Sequence, residues 1–163
     1  MVLTLTSYRL IIGIIVGVTL SFFSAFFFNM TDIVTIISSG INGLRVVALL
    51  VGANFDFDMI SFFTGSPSIL GFFVPEILAW IFIGYITGSI AKGFRRGTIA
   101  SLLVVIVVLL IWIILSIFSQ VDLMALFQGT QLTETLGGII SAFSGVLIGG
   151  VAGGLVSGPY EEF

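Results

Sequence analysis

The sequence contains no cysteine and no histidine. Without cysteine there can be no disulfide, no thiol nucleophile and no thiolate metal site. Without histidine there is no imidazole metal ligand and no histidine to serve as the usual axial ligand of haem. These absences exclude the commonest kinds of metal centre and all thiol chemistry, so we expect neither a metal nor a cofactor.

Charged residues are also scarce. They make up 8% of the 163 residues, whereas a soluble domain has about 25%. Hydrophobic residues make up 58%, and the mean hydropathy is +1.31. Five Lys and Arg with eight Asp and Glu cannot cover a surface of this size in water, so most of it must face lipid. The small net charge of -3 and the lack of a basic stripe argue against nucleic acid as a partner.

Long apolar runs define the fold class. About 20 apolar residues cross the hydrocarbon core of a bilayer, and four segments reach that length: 10–28, 72–91, 98–118 and 136–156. A fifth segment, 33–53, is interrupted by polar residues and by Arg45, a side chain that costs about 3 kcal/mol at the centre of a membrane helix. We therefore predict an all-α integral membrane protein, a single-domain bundle of four transmembrane helices. Residues 33–53 are predicted to span, to re-enter or to lie at the interface.

The basic residues predict the orientation. Lys92, Arg95 and Arg96 fall in the short loop 92–97, which the positive-inside rule places in the cytoplasm as an anchor. The loops 54–71 and 119–135 contain Asp and Glu but no Lys or Arg, and we predict them outside. The C-terminus is then cytoplasmic. The N-terminus is also cytoplasmic if residues 33–53 do not cross.

Glycines recur at a spacing of four in three of the predicted helices. This spacing places them on one helix face, and helices in lipid associate where small residues let their backbones approach. The last helix carries two such rows on different faces. The predicted packing residues are Gly13, Gly17, Gly84, Gly88, Gly145, Gly149, Gly153, Gly150, Gly154 and Gly158.

These glycine rows outnumber the contacts that one small bundle would need. Residues 98–118 are nearly all Leu, Ile and Val, so we expect that helix to face lipid and to offer no matching small-residue face. At least one glycine row is then predicted to contact another subunit. The predicted partners are the lipid bilayer and either further copies of the chain or other membrane subunits.

Segment 33–53 holds a possible polar site. It consists of Ser38, Ser39, Asn42 and Arg45, around a break in the helical pattern, and Glu76 from the next predicted helix completes it. Broken, polar backbone at membrane depth is tolerated only inside protein or beside a water-filled cavity. These residues are therefore candidates to line a path, with Arg45 neutralised by an acidic partner.

Four acidic residues, Asp32, Asp56, Asp58 and Glu76, are candidates for a role. Glu76 follows Pro75 and fits the start of a helix, but it is also a candidate partner for Arg45, as is Asp32. Asp56 and Asp58 with Asn54 could bind Ca²⁺ only weakly, because EF-hand spacing is absent.

The sequence shows no nucleophile–base pair and no glycine-rich phosphate loop, so we expect no enzyme. The favoured function is a non-catalytic structural or accessory membrane subunit that packs through its glycine rows into a homo-oligomer or a larger complex. The alternative is a small oligomeric channel or transporter that uses the polar segment 38–45. The Ile- and Phe-rich, Lys-poor composition resembles that of small archaeal membrane proteins, although no motif identifies a family.

Overall fold

A computed structural model of the chain describes residues 2–28, 30–38, 40, 42–65, 67–120, 124 and 128–159, with side chains from residue 8 onward except at 32, 33, 36 and 70. Most of these residues are helical, and none of them lies in a strand. The short 3₁₀ turn η1 (Ala53–Phe55) separates the third and fourth helices. The helices are α1 (Val2–Phe28), α2 (Met30–Ser38), α3 (Gly43–Gly52), α4 (Met59–Thr64), α5 (Ile69–Phe72), α6 (Pro75–Ala91), α7 (Phe94–Phe118) and α8 (Gly129–Val156).

Four helical stretches are long and apolar enough to cross a membrane: Tyr8–Phe28, Gly43–Thr64, Phe94–Phe118 and Gly129–Val156. The prediction of an all-helical chain with several such helices is confirmed. The predicted span 72–91 corresponds to α6, which begins only at Pro75 because Phe73 and Val74 are not helical. Its 17 residues give about 26 Å of helix, slightly less than the hydrocarbon thickness.

Helices α6 and α8 pack side by side in the same direction. Gly145 lies against Trp80, and two turns later Gly153 lies against the backbone of Tyr85. Helix α1 runs the opposite way, because its early residue Gly13 lies beside Thr87, near the end of α6. Helix α7 follows α6 through a short turn and therefore runs parallel to α1.

The backbones of α6, α7 and α8 converge at three glycines. A methyl group built on Gly88 would lie 2.5 Å from the carbonyl oxygen of Gly150, and one built on Gly97 would lie 3.0 Å from the same oxygen. Only glycine fits such an approach without a shift of backbone. One turn beyond Gly97, the Ser101 hydroxyl is shared between the carbonyl oxygens of Gly97 at 2.7 Å and Gly84 at 3.1 Å. We call this contact of Gly88, Gly97 and Gly150 the triple-glycine contact.

The two glycine rows of α8 both face helices of the same chain. Gly149 and Gly153 abut the backbone of α6, whereas Gly150 and Gly154 face Ser101 and the turn at Gly93. The remaining glycines predicted to pack also contact a neighbouring helix within the chain, namely Gly13, Gly17, Gly84, Gly88 and Gly145. These glycine rows are therefore used for contacts between helices of one chain. No row is left over whose packing would require a second subunit.

Gly158 differs from the other glycines predicted to pack. No atom lies within 4 Å of a side chain built there, and its φ is +77°. It follows the end of α8 in the left-handed conformation that glycine adopts most easily. Its amide donates a hydrogen bond to the carbonyl oxygen of Leu155 at 3.2 Å. Gly158 therefore terminates the helix rather than packing against another one.

Helix α7 does not simply face lipid as expected. One of its faces is fully buried and contacts α1, α3, α6 and α8. This face consists of Gly97, Ala100, Ser101, Val104, Val105, Val108 and Trp112. The expectation failed because a core-facing side and a lipid-facing side are both apolar in a membrane helix, so composition does not separate them.

Segment 33–53 is not one continuous helix. It breaks between α2 and α3, where Gly40 has a φ of +73°, and the Asn42 side chain caps α3 by accepting from the amide of Leu44 at 3.2 Å. Helix α3 then packs on α7, with Gly52 against the ring of Trp112. The break falls where glycine and asparagine favour turns and caps over continued helix.

The chain returns to the end of the bundle from which α3 started. Ala48 and Ser116 share one cavity, so α3 runs antiparallel to α7 and Gly43 lies toward the end of α7. After η1, the rings of Phe62 in α4 and Phe72 in α5 pack with centroids 5.9 Å apart. Phe72 ends α5 and lies three residues before Pro75, where α6 begins. Residues 43–64 therefore enter and leave the bundle at one end, despite their length and hydropathy.

Substitution of Gly88 by alanine tests the triple-glycine contact. The added methyl group would meet the backbone of Gly150, and we expect unfolding to become easier by about 1–3 kcal/mol, the usual range for overpacking. The matched control is Gly43→Ala, where nothing lies within 4 Å and alanine is the better helix former. Unfolding in mixed micelles, followed by circular dichroism, measures both. Equal stability of the two variants would contradict the contact.

Candidate functional site

The charged side chains that the structure describes lie at opposite ends of the bundle. The end where α1 begins and α6 ends, here called the basic end, carries Arg9, Lys92, Arg95 and Arg96. The opposite end, here called the acidic end, carries Arg45 and the acids Asp56, Asp58, Glu76 and Glu134. Between them, the described bundle is filled by apolar and small side chains. A polar site in this part of the chain must therefore lie at one of the two ends.

A buried asparagine joins three elements at the acidic end. Asn54 is 6% exposed, and its carbonyl oxygen accepts from the indole nitrogen of Trp80 at 2.7 Å. Its side chain donates to the carbonyl oxygen of Val51 at 3.2 Å and accepts from the Ser24 hydroxyl at 3.3 Å. These bonds tie η1 to α1 and α6, and they fix the point where the chain turns back toward the acidic end.

A cavity of about 430 Å³ opens beside this turn, between α3, α7 and the first turns of α8. We call it the acidic-end cavity. Its floor contains Phe55 and Trp112, whose rings stack with centroids 5.5 Å apart and planes 30° apart. Its polar lining includes Asp56 from the loop after η1 and Glu134 from α8. The cavity thus combines two carboxylates with an aromatic floor.

The wall of this cavity contains a buried hydroxyl group with no hydrogen-bond partner. Ser116 in α7 is 1% exposed, and its Oγ contacts no donor or acceptor among the described residues. Serine in a helix normally bonds a carbonyl oxygen three or four residues earlier, as Ser101 does with Gly97 at 2.7 Å. An unsatisfied buried hydroxyl costs about 1–3 kcal/mol. The Ser116 Oγ has almost no accessible surface, so a molecule in the cavity would not reach it.

The polar residues predicted from segment 33–53 do not come together in a site. Ser38, Asn42 and Arg45 are exposed, and Ser39 lies outside the described residues. Glu76 occupies the first turn of α6 directly after Pro75, which agrees with its role at a helix start.

Neither predicted partner of Arg45 forms an observed ion pair with it. Arg45 and Glu76 are not paired in the part of the chain that the structure describes. The side chain of Asp32 lies outside the described residues. Arg45 lies in the first turn of α3, near the acidic-end surface, and not in the middle of a spanning helix.

The residues considered for weak calcium binding also serve separate purposes. Asp58 caps α4, because its Oδ1 accepts from the amides of Ile60 and Ser61 at 2.9 and 3.1 Å. Asn54 is engaged with Trp80, and Asp56 lines the cavity. The residues that the structure describes include no cluster of three or more potential metal ligands.

The turn at the basic end brings α6 and α7 close together. Lys92 and Gly93 both have positive φ, +53° and +84°. Glycine at position 93 lets the chain pass so close to Gly154 that a methyl group on the latter would lie 2.8 Å from the Gly93 carbonyl oxygen. Arg95 is exposed in the first turn of α7. The anchoring role of the basic loop stays a prediction.

Sequence reasoning missed the acidic-end cavity, although two weak signals were present. Trp112 and Ser116 lie four residues apart in an otherwise aliphatic helix and therefore share a face. Gln131, Glu134 and Thr135 do the same in the first turns of α8. Nothing in the sequence joins these two polar faces, because α3 completes the cavity from a distant part of the chain.

Comparisons with protein-family models, with curated proteins and with solved structures found no match to this chain. Its function is therefore inferred from its own geometry.

Replacing Trp80 by phenylalanine tests the bond that fixes Asn54. We expect a loss of stability about 1 kcal/mol larger than that caused by Trp112→Phe, because only Trp80→Phe leaves a buried carbonyl oxygen without its donor. The two substitutions remove the same volume, and the described residues offer Trp112 no hydrogen bond. Thermal unfolding in lipid nanodiscs measures the difference. A larger loss for Trp112→Phe would contradict the proposed importance of the bond.

Proposed function

We propose that the protein is a non-catalytic accessory subunit of a membrane assembly. Its transmembrane bundle is complete in one chain, and its acidic end is the part that contacts other molecules. The proposal rests on one observation, that the small residues lie inside the bundle and the polar residues lie at its ends. The glycine rows are used inside the bundle, whereas the acidic end holds the polar cavity and exposed aromatic residues.

The membrane arrangement that fits this geometry has four crossings, by α1, α6, α7 and α8. Residues 43–64 form a re-entrant segment, which starts and finishes at the acidic end. The basic loop 92–97 and the C-terminus are cytoplasmic by the positive-inside rule, and the acidic end faces outside. The short helix α6 suits this arrangement because it is surrounded by the longer helices α1, α7 and α8.

The exposed apolar residues of α4 and α5 support a contact at the acidic end. Phe63, Ile69 and Phe73 are 60%, 82% and 53% exposed, and they surround the packed rings of Phe62 and Phe72. Exposed apolar patches of this kind mark binding surfaces for proteins or for the membrane interface. We call the surface formed by Phe63, Ile69 and Phe73 the aromatic patch.

The alternative, an oligomeric channel lined by residues 38–45, has less support. Ser38, Asn42 and Arg45 are exposed on the outside of the described chain, not turned toward a cavity within it. The centre of the bundle is occupied by the triple-glycine contact and by fully buried side chains such as Val104 and Val108. A path would therefore have to form between chains.

Gentle extraction from native membranes tests the proposal. The mass of the intact particle should exceed that of one chain through co-purified foreign membrane subunits. The double variant Ile69→Ala/Phe73→Ala should lose these subunits, because it truncates the aromatic patch. The matched control Ile114→Ala/Phe118→Ala trims equally exposed residues of α7, 51% and 72% exposed, and should retain them.

Two outcomes would contradict the accessory function. A particle that contains only one chain, extracted directly from native membranes into nanodiscs, would show that the protein does not belong to an assembly. A homo-oligomer without foreign subunits would favour the channel alternative. Loss of the subunits in both double variants would remove the acidic end as the contact surface.

A further inference from the structure

We propose that helix α2 (Met30–Ser38) is an interfacial helix, which lies in the membrane surface at the acidic end with one apolar face inserted into the lipid. The inference rests on the four-crossing arrangement of the proposed function, but it does not require a partner subunit. It goes beyond that arrangement because residues 30–38 belong neither to a crossing nor to the re-entrant segment.

Both ends of α2 lie at the acidic end. It starts two residues after Phe28, where α1 ends, and one turn before Phe28 the Ser24 hydroxyl bonds Asn54 at 3.3 Å. It is followed by α3, whose first residue Gly43 lies toward the end of α7. Nine residues of helix are about 14 Å long, roughly half the thickness of the hydrocarbon core. Helix α2 therefore connects two points at one end of the bundle and does not cross the membrane.

The rest of the chain covers none of the α2 side chains that the structure describes. All of them are exposed, namely Met30, Thr31, Val34, Thr35, Ile37 and Ser38. An isolated helix shorter than about 12–15 residues is only marginally stable in water, because helices in proteins are stabilised chiefly by packing of an apolar face. A nine-residue helix with no covered face therefore needs a surface outside the chain.

An apolar face of α2 is available for such a contact. Met30, Val34 and Ile37 are 52%, 60% and 59% exposed. They lie within about 60° of one another around the helix axis, because each residue advances the helix by about 100°. We call these three residues the apolar stripe. A helix that separates an apolar face from a polar one is typical of segments that lie in the plane of the membrane interface.

The hydroxyl side chains of α2 lie on a second face. Thr31, Thr35 and Ser38 are centred about 100° away from the apolar stripe, and we call them the hydroxyl stripe. The Thr35 hydroxyl donates to the carbonyl oxygen of Thr31 at 2.9 Å, and the Ser38 hydroxyl donates to that of Thr35 at 2.7 Å. These donors are used within the helix, so the hydroxyl stripe can lie at the boundary of lipid and water without a protein partner.

Lipid fits the apolar stripe better than a protein partner does. Protein contacts draw most of their binding energy from Trp, Tyr and Arg, and the sequence of α2 contains none of them. Helix α2 also follows the 21-residue apolar stretch Tyr8–Phe28, which is long enough to end at the membrane surface. Acyl chains are therefore the apolar phase that lies beside the stripe.

The test measures the surroundings of each stripe in the full chain, reconstituted into phosphatidylcholine vesicles. The natural sequence has no cysteine, so spin labels on single cysteines report single positions. Power-saturation electron paramagnetic resonance compares collisions with oxygen, which concentrates in lipid, and with a water-soluble nickel chelate. The apolar stripe should be reached mainly by oxygen and the hydroxyl stripe mainly by the chelate. The variants are Met30→Cys, Val34→Cys, Ile37→Cys, Thr31→Cys, Thr35→Cys and Ser38→Cys.

A charge placed on each stripe tests the direction of insertion. Val34→Glu should raise the access of the nickel chelate to a label at Met30→Cys several-fold, because a carboxylate is unfavourable in lipid. The matched control is Thr35→Glu, one residue further and on the hydroxyl stripe, and it should leave the access to that label unchanged. Circular dichroism checks that both variants keep the helical bundle. Equal effects of the two substitutions would overturn the inference.

Three patterns of collision would also overturn it. Equal access of the chelate to both stripes would place α2 in water, and oxygen access without chelate access at both would place it in the hydrocarbon core. An apolar stripe that neither reagent reaches would show contact with a second copy of the chain.

Native membranes test whether a foreign protein covers α2 instead. A benzophenone probe on Val34→Cys should cross-link to lipid, and predominant cross-linking to protein would overturn the inference. Any of these failures in a chain that still co-purifies with foreign subunits would leave the proposed function standing. Absence of foreign subunits, with α2 labelled as expected, would reject the proposed function and leave the interfacial helix.

Discussion

The approach of three backbones at Gly88, Gly97 and Gly150 is the constraint on which the rest of the structure depends. Apolar side chains gain no hydrophobic free energy when they move from lipid to a helix contact. Helices in a bilayer are therefore held together by close backbone packing and by hydrogen bonds between helices. The triple-glycine contact supplies the first, and the Ser101 hydroxyl bonded to the carbonyls of Gly84 and Gly97 supplies the second. With α6, α7 and α8 fixed in this way, α1 has one remaining groove, where Gly17 meets Val104.

The acidic end follows from this arrangement. Residues 43–64 supply Val51 and Phe55 to the buried core of the bundle. Helix α3 packs on α7, and the chain turns back where Asn54 bonds Trp80. This turn leaves a gap between α3, α7 and α8, and Trp112 closes the gap from below. Asp56, Gln131 and Glu134 are among the polar residues that line this gap. The packing of the helices in the centre therefore leaves a cavity at one end.

The sequence predicted the helical class and the residues that let helices approach, but not which helices meet. Spacing of four places Gly149 with Gly153 and Gly150 with Gly154, and the structure shows each pair at a helix contact. The buried face of α7 was missed because lipid and protein core favour the same residues. Hydropathy alone indicates a crossing at 43–64, whereas the turn within this segment is held by a hydrogen bond between Asn54 and Trp80, which are 26 residues apart. The cavity was missed for the same reason, because its walls come from three separate helices.

Sidedness labelling tests most directly whether the chain crosses four times and residues 43–64 return. The natural sequence has no cysteine, so single cysteines at Ser38, Ser61 and Arg95, all exposed, can be labelled in intact cells with a membrane-impermeant maleimide. Ser38→Cys lies before α3 and Ser61→Cys lies in α4, after the turn at Asn54, and both should react from outside, whereas Arg95→Cys should react only after the cells are opened. Reaction of Ser38→Cys and Ser61→Cys from opposite sides would show that residues 43–64 cross the membrane and would contradict the account.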